Sequence, residues 1–162
     1  VGIEAKLSKN IEDCDAIILP GVGSFKTAMD NLGDLADQLR KTDKPILGIC
    51  LGMQILFERG YEGEEIQGLA LLKGDVKLIP TKAKLPHMGW NTLSETKEDV
   101  YFVHSYRMLP AGLSGKPAIC NYGVEFLAAY EQDNIFATQF HPEKSGKVGE
   151  AILRKWADTW GL

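Results

Sequence analysis

Five residues, Gly48-Ile49-Cys50-Leu51-Gly52, set a thiol between two glycines. The pattern G-x-C-x-G, after an apolar run and before a helix-like stretch, is the cysteine form of a nucleophile elbow. Small flanking residues let the backbone turn sharply and present the nucleophile. At the start of a helix, backbone N–H groups and the helix dipole favour thiolate over thiol, so Cys50 is expected as an ionised nucleophile. The N–H of Leu51 points toward the place where an oxyanion would form. The competing reading is a buried cysteine that only packs, a common fate of free thiols. Two glycines at this spacing, in a strand–turn–helix context, favour the nucleophile.

A thiol nucleophile needs an imidazole and a group to orient it. The chain has three histidines. His141 sits in His141-Pro142-Glu143, after a strand-like run, and Pro142 biases it toward extended backbone. In an extended segment residues two apart share a side, which sets Glu143 beside the ring. That carboxylate can hold the tautomer and stabilise imidazolium. His104 is the competing base, but it has no carboxylate at fixed spacing. His87 lies in the Pro/Gly loop Pro86-His87-Met88-Gly89-Trp90-Asn91. Packing or an interface suits both better. A second glycine loop, Pro20-Gly21-Val22-Gly23-Ser24-Phe25, ends one apolar run and opens a helical pattern, with Ser24 as N-cap. It is no Walker A loop, lacking Gly-Lys-Ser/Thr. Its spacing leaves two roles open, a phosphate cradle or backbone donors to an oxyanion.

The elements that must carry these groups read as an α/β sandwich with a parallel core and an antiparallel extension. The runs 15–20 and 45–50 are continuous rather than alternating, as in strands covered on both faces. Phe25, Met29, Leu32, Leu35 and Leu39 recur at helical spacing after the first run; Leu51, Ile55 and Leu56 share a face after the second. The second half offers strand-like runs at 76–79, 101–104, 118–122, 126–130 and 135–140 with short turns, which favour antiparallel neighbours. Val148, Ile152, Trp156 and Trp160 make the stripe of a final helix. With 162 residues, 44% apolar and 25% charged, the chain is expected to be one domain, 1–162, able to build a core unaided. A net charge of −4 argues against nucleic acid or an anionic membrane as the main partner. Neither a signal peptide nor a membrane span is read. Three widely spaced cysteines argue against a disulfide framework or a zinc site, and for the cytoplasm. No cofactor is expected.

Gly48-Ile-Cys-Leu-Gly-Met-Gln54 and Gln139-Phe-His-Pro-Glu143 resemble the motifs of the class I, triad-type glutamine amidotransferases, a flavodoxin-like fold. The stretches 20–25, 86–91 and 102–106 are similar to those of one branch, the glutaminase subunits of imidazole glycerol phosphate synthases. The resemblance implies Cys50 as nucleophile, His141 as base and acid, and Glu143 as the orienting carboxylate. It implies an oxyanion hole of backbone around Gly21, Val22 and Leu51, and a glutamine pocket of Gly52, Gln54, Glu62, Ser105 and Tyr106. It further implies that glutamine is hydrolysed through a thioester. The ammonia would then tunnel to a (β/α)8-barrel cyclase that makes imidazole glycerol phosphate and AICAR in histidine biosynthesis. His87, Met88, Trp90 and Asn91 would face that partner in a heterodimer. Activity without the partner is expected to be weak, since nothing obvious holds the N–H groups of 20–23 toward the oxyanion. The other readings are a glutaminase of the pyridoxal phosphate or anthranilate type, or a non-catalytic domain that only binds a partner.

One departure from the family bears on the fold. Its members begin with a further strand and helix, and the present chain starts at what resembles the second strand. In the family's strand order the missing first strand would lie between segments 1–7 and 15–19, and residues 8–14 are too few for a helical crossover. A gap in the sheet, a displaced 1–7 segment or a partner strand is expected there, with the hazard of an open edge.

Overall fold

The computed structural model describes residues 1–112 and 114–162. In chain order the first half contains β1 (Ile17–Leu19), α1 (Phe25–Leu32), α2 (Leu35–Leu39), β2 (Ile46–Ile49), α3 (Leu51–Ile55), β3 (Phe57–Glu62), β4 (Glu64–Gln67) and β5 (Leu72–Leu78). The second half adds β6 (His87–Thr92), β7 (Asp99–His104), β8 (Tyr106–Pro110), β9 (Lys116–Asn121), β10 (Glu125–Gln132), β11 (Ile135–Thr138), a 3-10 turn (Pro142–Lys144) and α4 (Gly146–Trp160).

The main sheet has the order β1-β2-β11-β10-β9. β1, β2 and β11 run parallel, and β10 and β9 extend the sheet antiparallel. β2 is an interior strand, between β1 and β11, and is covered on both faces, which explains its unbroken apolar run. A two-residue turn, Asp133-Asn134, joins β10 to β11, and Asp133 takes the left-handed φ of 51° that such hairpins demand. One core, around Phe25, Leu39, Leu47's neighbour Ile46, Met53, Phe57 and Ile135, fills the space between this sheet and α1–α3. A second, around Val100, Phe102, Cys120, Phe126 and Phe140, receives Val148 and Ile152 of α4. The final stripe is thus seated through Trp156, while Trp160 is exposed.

Several expectations need correction. The pattern 25–39 is two helices, broken at Gly33, whose φ is 50°. α3 stops after five residues and runs into β3, a strand rich in charged and small residues that gave no periodic signal. β3, β4, β5 and β8 form a separate sheet in the order β4-β3-β5-β8. The expected loop 86–91 is mostly strand, because β6 pairs antiparallel with β7 from His87↔His104 to Thr92↔Asp99. Residues 1–10 form neither strand nor helix and lie exposed, leaving β1 at the edge of its sheet with Ile18 turned outward.

Candidate active site

Cys50 follows β2 directly, at φ 54° and ψ −109°. An L-residue pays steric strain in that region, so the surroundings must enforce it. They do so from both sides. The Cys50 N–H donates to Thr138 O at 2.7 Å, carrying the β2–β11 ladder one step past the strand. The Cys50 carbonyl accepts from Gln54 N at 3.1 Å and starts α3. Gly52 is wedged against β1: a Cβ there would run into the Leu19 carbonyl. A Cβ on Gly21 would come within 3.0 Å of Leu51 Cβ and 3.3 Å of Gly52 N. The 20–23 loop therefore lies on the first turn of α3, which brings Gly21 and Leu51 together. Val22 is largely exposed. The loop leads into α1 through Ser24, whose hydroxyl accepts from Thr27 N, as a capping residue should.

The thiol is not the ionised group expected from the sequence. Burial pushes Cys50 up to about 11, and the Glu143 charge adds to that; the Leu51 N–H and the Gln139 amide pull the other way without prevailing. Only 7% of the residue is exposed, and α3 is too short to offset that desolvation with a helix dipole. At neutral pH the candidate nucleophile therefore rests as a neutral thiol. Its Sγ–H donates to Val103 O at 3.8 Å, and its sulfur accepts from Gln139 Nε2 at 3.5 Å.

His141 keeps the extended backbone foreseen before proline, at φ −96° and ψ 99°. Its Nδ1 lies 2.7 Å from Glu143 Oε1. The pairing expected from an extended segment is present, but Glu143 reaches it from the 3-10 turn instead. His141 Nε2 is buried without a hydrogen-bond partner. Cys50 and His141 thus follow the C-terminal ends of the adjacent parallel strands β2 and β11, where open α/β sheets place their ligands. A thiol–imidazole hydrogen bond is not formed at rest. Ser145, which sequence reasoning passed over, clamps the histidine. Its Oγ donates to His141 O at 2.7 Å and accepts from Tyr101 N at 3.0 Å, while His141 N donates to Tyr101 O at 2.9 Å. The signal was faint: a serine four residues after the histidine, beside a glycine.

Among the residues assigned to a glutamine pocket, Gly52 and Gln54 are buried under the elbow. Gln54 Nε2 donates to Gln139 Oε1 at 2.9 Å, so its amide serves Gln139, which in turn holds the sulfur. Glu62 Oε2 accepts from Phe25 N at 2.8 Å and anchors the start of α1. The Tyr106 phenol is raised by burial and then by the Glu62 charge. Ser105 is half-buried, and its carbonyl accepts from Ile79 N at 2.9 Å.

His104 and His87 make a buried pair, His87 Nδ1 to His104 Nε2 at 3.0 Å. Burial holds both near 4, well below the usual imidazole value, so neither is a base poised for Cys50. His87 is 2% exposed and does not face outward as a partner-facing residue would; Met88 and Trp90, at 62% and 59%, do. The alternation of β6 explains the split: 87 and 91 point one way, 88 and 90 the other. A stability consequence follows. The unfolded histidines take up protons near pH 6.5, the folded ones only near 4, so their stabilisation is complete above 6.5 and is lost as pH falls through that window. At pH 5 the loss is expected to be about 2 kcal/mol per histidine. Urea unfolding at pH 7.5 and 5.0 measures it, and His87→Phe should show the smaller drop.

Fold and site together define a triad-type amidotransferase, and the chain belongs to the class I glutamine amidotransferases, whose family profile matches residues 1–159. It is similar to the imidazole glycerol phosphate synthase subunit HisH of Prochlorococcus marinus, at 49% identity over 96% of this chain and 86% of that protein. The corresponding subunit HisH of Methanocaldococcus jannaschii is 46% identical over 93% of this chain and 84% of its own. A crystal structure of a glutamine amidotransferase superposes with a TM-score of 0.76 at 20% identity, covering 99% of this chain and 88% of that one, which supports the fold.

Proposed function

We propose that the chain is the glutamine-hydrolysing subunit of an imidazole glycerol phosphate synthase, acting in histidine biosynthesis. The observation that carries this is a strained, buried thiol after β2 and, after the adjacent parallel strand β11, a carboxylate-oriented imidazole with its second nitrogen unpartnered. Glutamine bound between Glu62, Ser105 and Tyr106 would bring its side-chain amide to Cys50. His141 takes the thiol proton as sulfur attacks the carbonyl carbon. The carbonyl oxygen becomes an oxyanion, met by backbone N–H groups at Leu51 and in the 21–22 loop. Collapse breaks the C–N bond, with His141 returning the proton to the leaving nitrogen, and leaves ammonia and a thioester. Water, deprotonated by His141, then attacks the thioester and releases glutamate and the thiol. Glu143 holds the tautomer throughout. Because the resting thiol is neutral, the step needs substrate to displace the Gln139 amide and bring thiol and imidazole together.

Free ammonia would be protonated and diluted in bulk water, which favours its direct transfer to a partner. The named relatives are subunits, and the partner we propose is a (β/α)8-barrel cyclase docked on the outer face of β6. Met88 and Trp90 supply exposed apolar area there, with Asn91 behind them. Residues 1–162 act as one domain in this reading. Trp90→Ala is expected to weaken the complex about 30-fold, as for an aromatic anchor. Titration calorimetry with the cyclase checks it; an unchanged affinity would move the interface elsewhere. Glutamate release should rise when cyclase is added, and equal turnover with and without it would count against the subunit assignment.

A further inference from the structure

His104 ends β7, Tyr106 begins β8, and Ser105 alone joins them. The two strands belong to different sheets: β7 pairs with β6, β8 with β5. The corner between them follows Val103, whose carbonyl receives the thiol, and carries Ser105 and Tyr106, two of the residues the glutaminase reading assigns to the glutamine pocket. Its position is held by a chain of hydrogen bonds that starts on the other strand.

The chain has one consistent proton arrangement. Tyr106 O can only accept, so His104 Nδ1 carries a proton and donates to it at 2.8 Å. A neutral His104 then has its lone pair at Nε2, and His87 Nδ1–H donates there. His87 Nε2 is left as an acceptor for Asn91 Nδ2 at 3.2 Å. The second amide hydrogen of Asn91 goes to Asn121 O at 2.9 Å, and its Oδ1 accepts from Thr92 N at 2.8 Å. Every donor and acceptor is used. Reversing any one link would set two protons or two lone pairs face to face. Burial keeps both rings neutral, in agreement with that count. Packing holds the middle of the chain: the His87 ring stacks on Tyr122 with centroids 4.0 Å apart and on Phe102 at 4.8 Å.

We propose that His87 and His104 are positioning residues for glutamine, holding through this directed chain the corner on which Ser105 and Tyr106 stand. The assignment rests on the glutaminase reading. Neither imidazole touches the reacting bond. Their loss is therefore expected in substrate affinity more than in the chemical step.

The test uses the full chain and a glutamine-analogue electrophile that alkylates Cys50. His87→Phe keeps the ring and its stacking but removes the donor to His104. It should raise the half-saturating concentration of the analogue about tenfold and change the maximal labelling rate less than about threefold. His87→Asn puts an amide N–H where Nδ1 stood and should bring the half-saturating concentration back to within about threefold of the parent. Iodoacetamide, which needs no glutamine pocket, should label parent and variants at similar rates. If His87→Phe does not fold, Asn91→Leu removes the donor at the half-exposed end and should shift affinity in the same direction. Imidazole 15N–1H spectra of the parent should show His87 and His104 both protonated at Nδ1 and bare at Nε2. A Nε2–H tautomer for either, an unchanged affinity in His87→Phe, or an equal defect in His87→Asn overturns the proposal. A parent that takes no label at Cys50 overturns the glutaminase reading and this substrate assignment with it; a labelled parent with any of the preceding results overturns the positioning role alone.

Discussion

Cys50→Ala is expected to lower glutamine turnover by about four orders of magnitude or more, with little change in folding. In the proposed mechanism the substitution deletes the atom that forms the thioester, and no neighbouring group can replace it. Cys14 is remote in sequence from the elbow and packs against the α1–α3 core, and Cys120 is fully buried in the other core. Whatever activity remains would come from water attacking glutamine held by the oxyanion donors alone. Alanine inherits the φ of 54° but gives up only a small side chain, so the thermal midpoint should move by a few degrees at most. The measurement is glutamate release by the parent and the variant at matched concentration, with cyclase present. Turnover within tenfold of the parent would remove Cys50 from the chemistry. The neutral thiol sharpens a companion expectation: simple alkylation of Cys50 at pH 7 should be slow, because burial holds the thiol near 11. Saturating glutamine analogue should accelerate it, since binding recruits the base.

Gly52→Ala is expected to destabilise the chain by about 4 kcal/mol or more, enough to unfold much of it. The added methyl has no direction in which to relax. It would meet the Leu19 carbonyl, which belongs to backbone rather than to a flexible side chain. Moving Leu19 means breaking its register with Gly48 in the β1–β2 ladder, three pairs long and at the sheet edge. Gly63→Ala gives the contrast. It sits at φ 84° in the β3–β4 turn with open space around it, so only the local conformational cost of about 1 kcal/mol applies. Urea unfolding followed by circular dichroism compares the two. A Gly52→Ala chain as stable as Gly63→Ala would mean that β1 does not rest on the elbow as described.

Much of this site was written into local sequence. Two glycines around a cysteine between an apolar run and a helical pattern demand a sharp turn, and the turn is there. His141-Pro142-Glu143 keeps imidazole and carboxylate two residues apart, so their hydrogen bond survives even though Glu143 lies in a 3-10 turn and not in extended chain. The apolar runs at 17–19 and 46–49 became parallel neighbours, and β2 is covered on both faces as its unbroken stretch implied; β11, read among strands with antiparallel neighbours, pairs antiparallel with β10 but parallel with β2, a pairing its own residues did not announce. β3, β4, β6 and β8 were not legible, since their residues alternate weakly and take their strand character from neighbours distant in the chain.

The sequence by itself determined the candidate reacting groups, their local turns and the family to which the chain belongs. These depend on contacts a few residues long, or on motifs that survive as strings. The tertiary structure alone decided the charge state of the thiol, because desolvation is set by everything packed around Cys50 and not by its neighbours in the chain. It alone brought Gln139 to the sulfur, Ser145 to Tyr101 and His87 to His104. Each of those contacts joins segments whose separation in sequence says nothing about their distance in space.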